Sequence, residues 1–408
     1  MVGNPDTFQN RPGPAIMPPS MDSIEAYLRD GLTQLDQQGL RRSLRILGGT
    51  EGAKIADAER EWINFSSNDY LGLAFHPAVA DAMAEGARRW GAGSTASRLI
   101  CGTTAEHASL EEELAAAKGT EASLVFSTGV AAATGTIPAL VGRGDVVILD
   151  KLAHACLIDG AHASGAKLRV FPHNDLEKLE SHLLWARRTH ADGRILIVTE
   201  SVFSMDGDLA PLHGIIGLKE KHGAMLFLDE AHAVGVRGAG AQGLAGELGL
   251  NGRIEIQMGT LGKALGVSGG YIAGSRLLID WLINRARSFI FSTAPSPAVA
   301  AACRAALRIV QSAEGDRLRT RLRDNLGILA AGLHRTTPPG AILPIILGKE
   351  ETALAESARL MDNGFFVPAI RYPTVPRNTS RLRITVSAAH CADQIRGLVE
   401  ALSPGGAN

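Results

Sequence analysis

With 408 residues, 45% of them hydrophobic and 20% charged, the chain has material for more than one domain and an ample core. A formal net charge of −1, with no basic patch standing out, argues against a nucleic-acid partner. No apolar run approaches the roughly 18 residues that a membrane span needs, so no membrane partner is expected.

The first segment, 1–20, holds five prolines and no apolar signal core, and reads as a disordered leader. Met21, just ahead of an amphipathic helix, is an alternative first residue. MDSIEAYLRDGLTQLDQQGLRRSLR (21–45) has helical periodicity and is expected to pack across the body as an arm. EWINFSSNDYLGL then reads as a strand breaking into a polar turn, which closes an N-terminal portion at 21–64.

From about residue 105 helices and strands alternate. HASLEEELAAAKG is a helix stopped by Gly119, ASLVFSTG a strand running into glycine, VAAATGTIPALVG a helix and DVVILD a strand. RILIVTE, AMLFLDE and IEIQMGT continue the series. These strands are apolar throughout rather than alternating, as expected of a parallel sheet covered by helices on both faces. Residues 65–300 are therefore read as an α/β domain. Its ligands should gather beyond the carboxyl ends of the strands, at Ser127-Thr128-Gly129, Asp150, Glu200, Asp229 and Thr260. In 301–408 the short strands AILPIILG, FFVPAI and RLRITVS alternate with helices near 351–363 and 390–403, the texture of a smaller α+β domain. Cys101, Cys156, Cys303 and Cys391 lie far apart without CxxC spacing, which suggests reduced, buried or semi-buried thiols and a cytoplasmic setting.

MLFLDEAHAVG (225–235) carries the DEAH letters of a helicase, but the phosphate loop such an ATPase requires is missing. In MGTLGKALG, Gln257 stands where the loop's first glycine belongs and Ala264 where its hydroxyl belongs, and this segment follows DEAH instead of preceding it. GAGAQG (238–243) fits GxGxxG yet trails its strand end, so a dinucleotide site is a weak reading. No HExxH or paired Cys/His spacing marks a metal site.

Pyridoxal phosphate needs a lysine for its Schiff base, a buried carboxylate to keep its ring nitrogen protonated, and a helix N-terminus for its phosphate. Gly129 and Val130 open a helix directly after a strand, where their N–H groups can meet a phosphate. His154 could lie flat over the ring, Asp229 could pair with the ring nitrogen, and His232 could reach the ring hydroxyl. Lys263 sits among glycines and small residues in GTLGKALGVSGG, unlike the solvated lysines of GLKEKHG.

TESVFSMDGDLAPL, DEAHAVGVRG, GTLGKALGVSGG, FSTAPSP and IRYPTVPRNTSRLRITVSAAH together resemble the α-oxoamine synthases. These are fold-type-I pyridoxal-phosphate enzymes that condense an amino acid with an acyl thioester, and the likeness runs from about residue 25 to 405. It implies that Lys263 carries the cofactor and then serves as the base at the substrate's Cα, and that Asp229 holds the pyridinium proton. His154 would stack on the ring, and His232 with Ser204 beside it would face the phenolic oxygen. Gly129, Val130 and Thr260 would bind the phosphate, with Ser292 or Thr293 reaching it from a neighbouring subunit of a homodimer. Arg383 would grip the amino-acid carboxylate, a bidentate task that suits a guanidinium. Arg381, two residues away on the same strand face, would be a structural neighbour. Arg42 and Thr374 match positions that contact the acyl substrate, delivered on coenzyme A or an acyl-carrier protein. Within the family, the C-terminal motif looks most like the branch joining L-alanine to a pimeloyl thioester in biotin synthesis. Tyr372 stands where that branch has proline, a feature shared with 5-aminolevulinate synthases. The glycine C-acetyltransferase and serine palmitoyltransferase types are further alternatives.

Overall fold

The computed structural model describes residues 21–50 and 52–403; the expected disordered leader lies outside them. Contacts divide the chain into two units, with the boundary between Ile46 and Leu47. The first contains the helix Met21–Gln37, followed by an extended stretch in which Arg41 pairs with Asp36 at 2.6 Å. No helix among the described residues is long and apolar enough to cross a membrane.

The second unit begins with β1 (Gly48–Thr50), β2 (Lys54–Ala56) and β3 (Glu61–Asn64), joined antiparallel in a small sheet. The central sheet follows: β4 (Ala122–Phe126), β5 (Val146–Asp150), β6 (Lys167–Phe171), β7 (Ile195–Glu200), β8 (Met225–Asp229), β9 (Ile256–Thr260) and β10 (Gly270–Gly274). Its strand order is β4-β10-β9-β8-β7-β5-β6, and β10 alone runs antiparallel to its neighbours. Successive side chains of a strand point to opposite faces, and the uniformly apolar strands therefore feed two cores. Val147, Leu149, Leu196, Val198 and Phe227 pack on one face under the helices Gly129–Leu140, Ala155–Ser164 and Arg276–Arg285. Val146, Ile148, Ile195, Ile197, Leu226 and Leu228 pack on the other, under Leu176–Thr189 and Leu212–Lys221. Each such side chain contributes about 1.5–3 kcal/mol relative to exposure, which fixes the sheet as the rigid platform of the molecule.

A smaller sheet combines β11 (Ile342–Gly348), β13 (Ala369–Ile370) and β14 (Ser380–Thr385), with β14 in the middle, and is accompanied by the helices Ala313–Gly332, Glu350–Asp362 and Ala392–Leu402. FFVPAI, expected as one strand, is two. β12 (Phe365–Phe366) pairs parallel with β3, while β13 pairs with β14. Pro368 lies between them and has no N–H to continue a ladder, so the segment hands over from one sheet to the other. Of the cysteines, Cys156 and Cys303 are buried as expected, whereas Cys101 and Cys391 are exposed; all four are free.

Candidate active site

The carboxyl ends of β7, β8 and β9 bring acidic and hydroxyl side chains to one rim. Parallel pairing sets Glu200 beside Asp229, and Asp229 beside Met258, two residues before Thr260. Asp229 is buried, and its Oδ1 accepts the N–H of Ala231 at 2.8 Å. Burial pushes its pKa up, and the nearby Lys263 ammonium opposes that. Glu200 is driven much further up by burial and by the Asp229 charge, with Lys263 again opposing. Its Oε1 is buried without a hydrogen-bond partner among the described residues. Lys263 itself is pulled down from the ordinary lysine value by burial, with Asp229 and Glu200 restraining the fall. The result is an amine poised to give up its proton beside an acid pair.

From Lys263 a continuous polar run crosses the site. Its Nζ lies 2.9 Å from His232 Nε2, and His232 Nδ1 lies 2.6 Å from the Tyr70 hydroxyl. The Tyr70 hydroxyl meets Asn68 Oδ1 at 3.1 Å, and both terminal nitrogens of Arg383 donate to that same oxygen at 3.2 Å. Arginine can only donate, so Asn68 presents its carbonyl and the Tyr70 proton points to it. The Tyr70 oxygen then accepts from His232 Nδ1–H, which leaves Nε2 as the acceptor facing Lys263. Charge states agree with this orientation. Burial, reinforced by Lys263 and Arg383, holds His232 well below the ordinary histidine value, so its ring is neutral. Burial lifts the Tyr70 phenol to about 12, against the pull of Arg383.

His154 caps the helix Ala155–Ser164: its Nδ1 accepts the Cys156 N–H at 3.2 Å and stands 3.0 Å from the Cys156 thiol. Burial lowers its pKa, although Asp229 opposes, and the ring is held neutral with an exposed side. On the other flank, the helix Gly129–Leu140 starts at the rim, capped by Thr128 Oγ1 accepting from Ala131 N–H at 3.0 Å. A Cβ at Gly129 would stand 2.7 Å from Thr260 Cγ2, and one at Gly270 would stand 2.6 Å from Gly129 Cα. Glycine at these two positions lets the helix N-terminus close onto Thr260 with bare backbone, a geometry suited to a phosphate. A buried carboxylate, a depressed lysine, a neutral histidine and this cradle together fit pyridoxal phosphate.

Arg383 and Arg381 project from β14 onto the 201–210 loop. Arg383 Nε donates to the carbonyl of the buried Ser204 at 2.6 Å, and its NH1 also donates to Thr385 Oγ1 at 3.0 Å. Arg381 is taken up by Asp206 at 2.7 Å and the Met205 carbonyl at 3.1 Å, a structural tie. Ser292, Thr293, Thr374 and Arg42 are also expected to contribute. Ser292 donates to the Thr293 carbonyl at 3.2 Å, and Thr293 bridges to Ser97 on the surface. Thr374 is exposed in a turn where its N–H donates to Arg371 O at 3.0 Å. Arg42 is exposed in the N-terminal unit.

Sequence reasoning missed Asn68 and Tyr70, whose only local signal is a polar turn directly after a strand. It also left Glu230 unassigned. That carboxylate is wholly buried against Lys118 and accepts the Ala245 N–H at 2.9 Å. The second acid of DEAH therefore anchors the turn that presents Asp229 and His232.

The fold and the site define a class in which a lysine and an aspartate serve a carbonyl cofactor on a mostly parallel sheet. Residues 60–402 match the model of the family described as aminotransferase class I and II. The chain is 48% identical over 377 residues to the 8-amino-7-oxononanoate synthase of Geobacter sulfurreducens, covering 91% of this chain and 96% of that protein. Among solved structures it resembles a serine palmitoyltransferase from S. paucimobilis with a bound PLP–myriocin aldimine, at TM-score 0.86 and 30% identity over 93% of this chain and 97% of that one. It also resembles the 8-amino-7-oxononanoate synthase of Francisella tularensis, at TM-score 0.70 and 27% identity over 83% and 96%. The chain belongs to the aminotransferase class I and II family, and in sequence it stands with the 8-amino-7-oxononanoate synthases.

Proposed function

We propose that this protein is a pyridoxal-phosphate-dependent 8-amino-7-oxononanoate synthase, which joins L-alanine to a pimeloyl thioester with loss of CO₂ in biotin synthesis. The observation that carries this reading is the run Lys263–His232–Tyr70–Asn68–Arg383, which connects a proton-accepting amine to a carboxylate-binding guanidinium across one buried site. Identity of 48% to a named oxononanoate synthase, against 30% to the palmitoyltransferase, favours the alanine and pimeloyl branch.

When bound, pyridoxal phosphate supplies the electron sink that makes the amino acid's Cα–H acidic. Arg383 binds the amino-acid carboxylate and sets that C–H toward Lys263. Lys263, its pKa lowered by burial, takes the proton. The Cα–acyl bond forms as the C–S bond breaks and the sulfur leaves as a thiolate, which takes its proton from solvent. The carboxylate then departs as CO₂, and Lys263 returns a proton to the carbon. Asp229 would hold the proton at the ring nitrogen, His154 would stack over the ring, and His232 and Ser204 would face the ring oxygen. The Gly129 and Val130 N–H groups and the Thr260 hydroxyl would hold the phosphate. Arg42 and Thr374 meet the acyl chain, carried by coenzyme A or an acyl-carrier protein.

The assembly in this reading is a cytoplasmic homodimer, with Ser292 or Thr293 crossing to the other subunit's phosphate cradle. The exposed apolar side chains of Val130, Ile100 and Phe291 support the dimer. The test is visible absorption of the purified protein titrated with L-alanine, glycine and L-serine, followed by thiol release from pimeloyl-coenzyme A. Saturation at the lowest concentration with alanine, and no turnover in Lys263→Ala, are expected. Tightest binding of glycine would move the reading to the aminolevulinate branch, and full activity of Lys263→Ala would overturn it.

A further inference from the structure

His173 follows β6 and belongs to none of the groups above. Its Nδ1 lies 3.0 Å from Asp150 Oδ1 at the end of β5, and its Nε2 lies 2.8 Å from Asp208 Oδ2. Carboxylates only accept, so an imidazolium satisfies both contacts, with Asn174 Nδ2 also 3.2 Å from Nε2. Burial works against that charge, but hydrogen bonds to Asp150 and Asp208 raise the pKa to about 10. The ring also stands edge-on to Phe203, with centroids 4.3 Å apart and planes at 85°. Asn174 repeats the bridge: its N–H donates to Asp150 Oδ2 at 3.0 Å, and its Nδ2 donates to Asp208 Oδ2 at 3.2 Å and Leu209 O at 3.1 Å.

The target of this clamp is the 201–210 loop. The loop is folded back on itself by Val202 bridging to Leu209, Phe203 N–H donating to Asp208 O at 3.0 Å, and Gly207 N–H donating to Phe203 O at 2.9 Å. Its tip carries the Ser204 carbonyl that takes Arg383 Nε, and the Met205 carbonyl and Asp206 carboxylate that take Arg381. Asp208 sits between that tip and the sheet. We propose that His173 is a positioning residue for the amino-acid carboxylate: by tying Asp208 to the buried Asp150 it holds the loop whose Ser204 carbonyl orients the Arg383 guanidinium. This rests on the reading of Arg383 given above.

The experiment compares the holoenzymes of His173→Phe, Asp208→Asn and Arg383→Lys with wild type, measuring KM for the amino acid, KM for the acyl thioester and kcat. His173→Phe keeps a ring against Phe203 and deletes both bonds; if it fails to fold because Asp150 is left buried without a cation, the half-exposed Asp208→Asn decides. Both variants are expected to raise the amino-acid KM about 10-fold, the scale of one hydrogen bond to a charged group, with kcat and the thioester KM within about 2-fold. A merely structural role would lower stability without this split. If Arg383→Lys raises the amino-acid KM while Asp208→Asn leaves it unchanged, the positioning role is overturned and the carboxylate site stands. If Arg383→Lys also leaves it unchanged, both readings fall.

Discussion

Lys118 closes the helix Ala105–Lys118 and is fully buried, as is its partner Glu230. Its ammonium donates to the Glu230 carboxylate and to the Gln242 carbonyl, the latter at 2.5 Å. The remaining Glu230 oxygen accepts from Ala245 N–H at 2.9 Å. Gly243, at φ +75°, presses so close that a Cβ there would stand 2.7 Å from the carboxylate oxygens, leaving no room for water. Lys118→Met keeps most of the side-chain volume but strands a buried carboxylate with one donor, which costs about 3–5 kcal/mol. Unfolding entropy of about 2.1 cal/mol/K per residue over 408 residues gives about 0.9 kcal/mol/K, so the melting temperature should fall by roughly 4–6 °C. The double variant Lys118→Met with Glu230→Gln removes the stranded charge, keeps the Ala245 bond and should recover more than half of the loss. Calorimetry on the four corners of this cycle is the assay, with kinetics at low temperature alongside. A single variant melting within about 1 °C of wild type, or a double variant no better than the single, would refute the assignment of Glu230 as a buried anchor.

Three further outcomes are expected. Tyr70→Phe leaves the buried His232 Nδ1 without its partner and should cost about 1–3 kcal/mol in urea unfolding, with weaker amino-acid binding in the same variant; unchanged stability would contradict the orientation of the polar run. Glu200 has a folded pKa raised well above 4.5, so its contribution to stability is complete below 4.5 and is lost as pH climbs through the folded value. Glu200→Gln, neutral at all pH, should therefore gain on wild type as pH rises, and urea midpoints across the pH range that show a constant gap would count against a protonated Glu200. His173, raised from 6.5 to about 10, contributes stability that is whole below 6.5 and fades as pH rises through about 10. The difference in unfolding midpoint between wild type and His173→Phe should shrink over that window, and a difference that grows there would contradict an imidazolium bridge.

What the sequence disclosed, and what it hid, follows from which interactions are local. Continuous apolar runs such as DVVILD and RILIVTE announce strands covered on both faces, and the strand ends then place Asp229, Glu200 and Thr260 at one rim without any knowledge of the partners. Lys263 is legible because glycines and small residues surround it in the chain itself. The polar run between Lys263 and Arg383 was not legible as a run. Tyr70 meets His232 across 162 residues, and Arg383 meets Asn68 across 315, and no periodicity or spacing encodes such meetings. The same holds for His173, whose near neighbour Asp175 only caps the helix Leu176–Thr189. Its work depends on Asp150 and Asp208, brought to it by β5 and by the loop after β7. The splitting of FFVPAI was hidden for a different reason: β12 and β13 have two residues each, and their pairing with separate sheets turns on one proline rather than on any pattern. Local chemistry thus locates the groups that act on the substrate. The residues that hold those groups in register come from distant segments, and their contribution is measurable as altered affinity and stability before it is visible as lost chemistry.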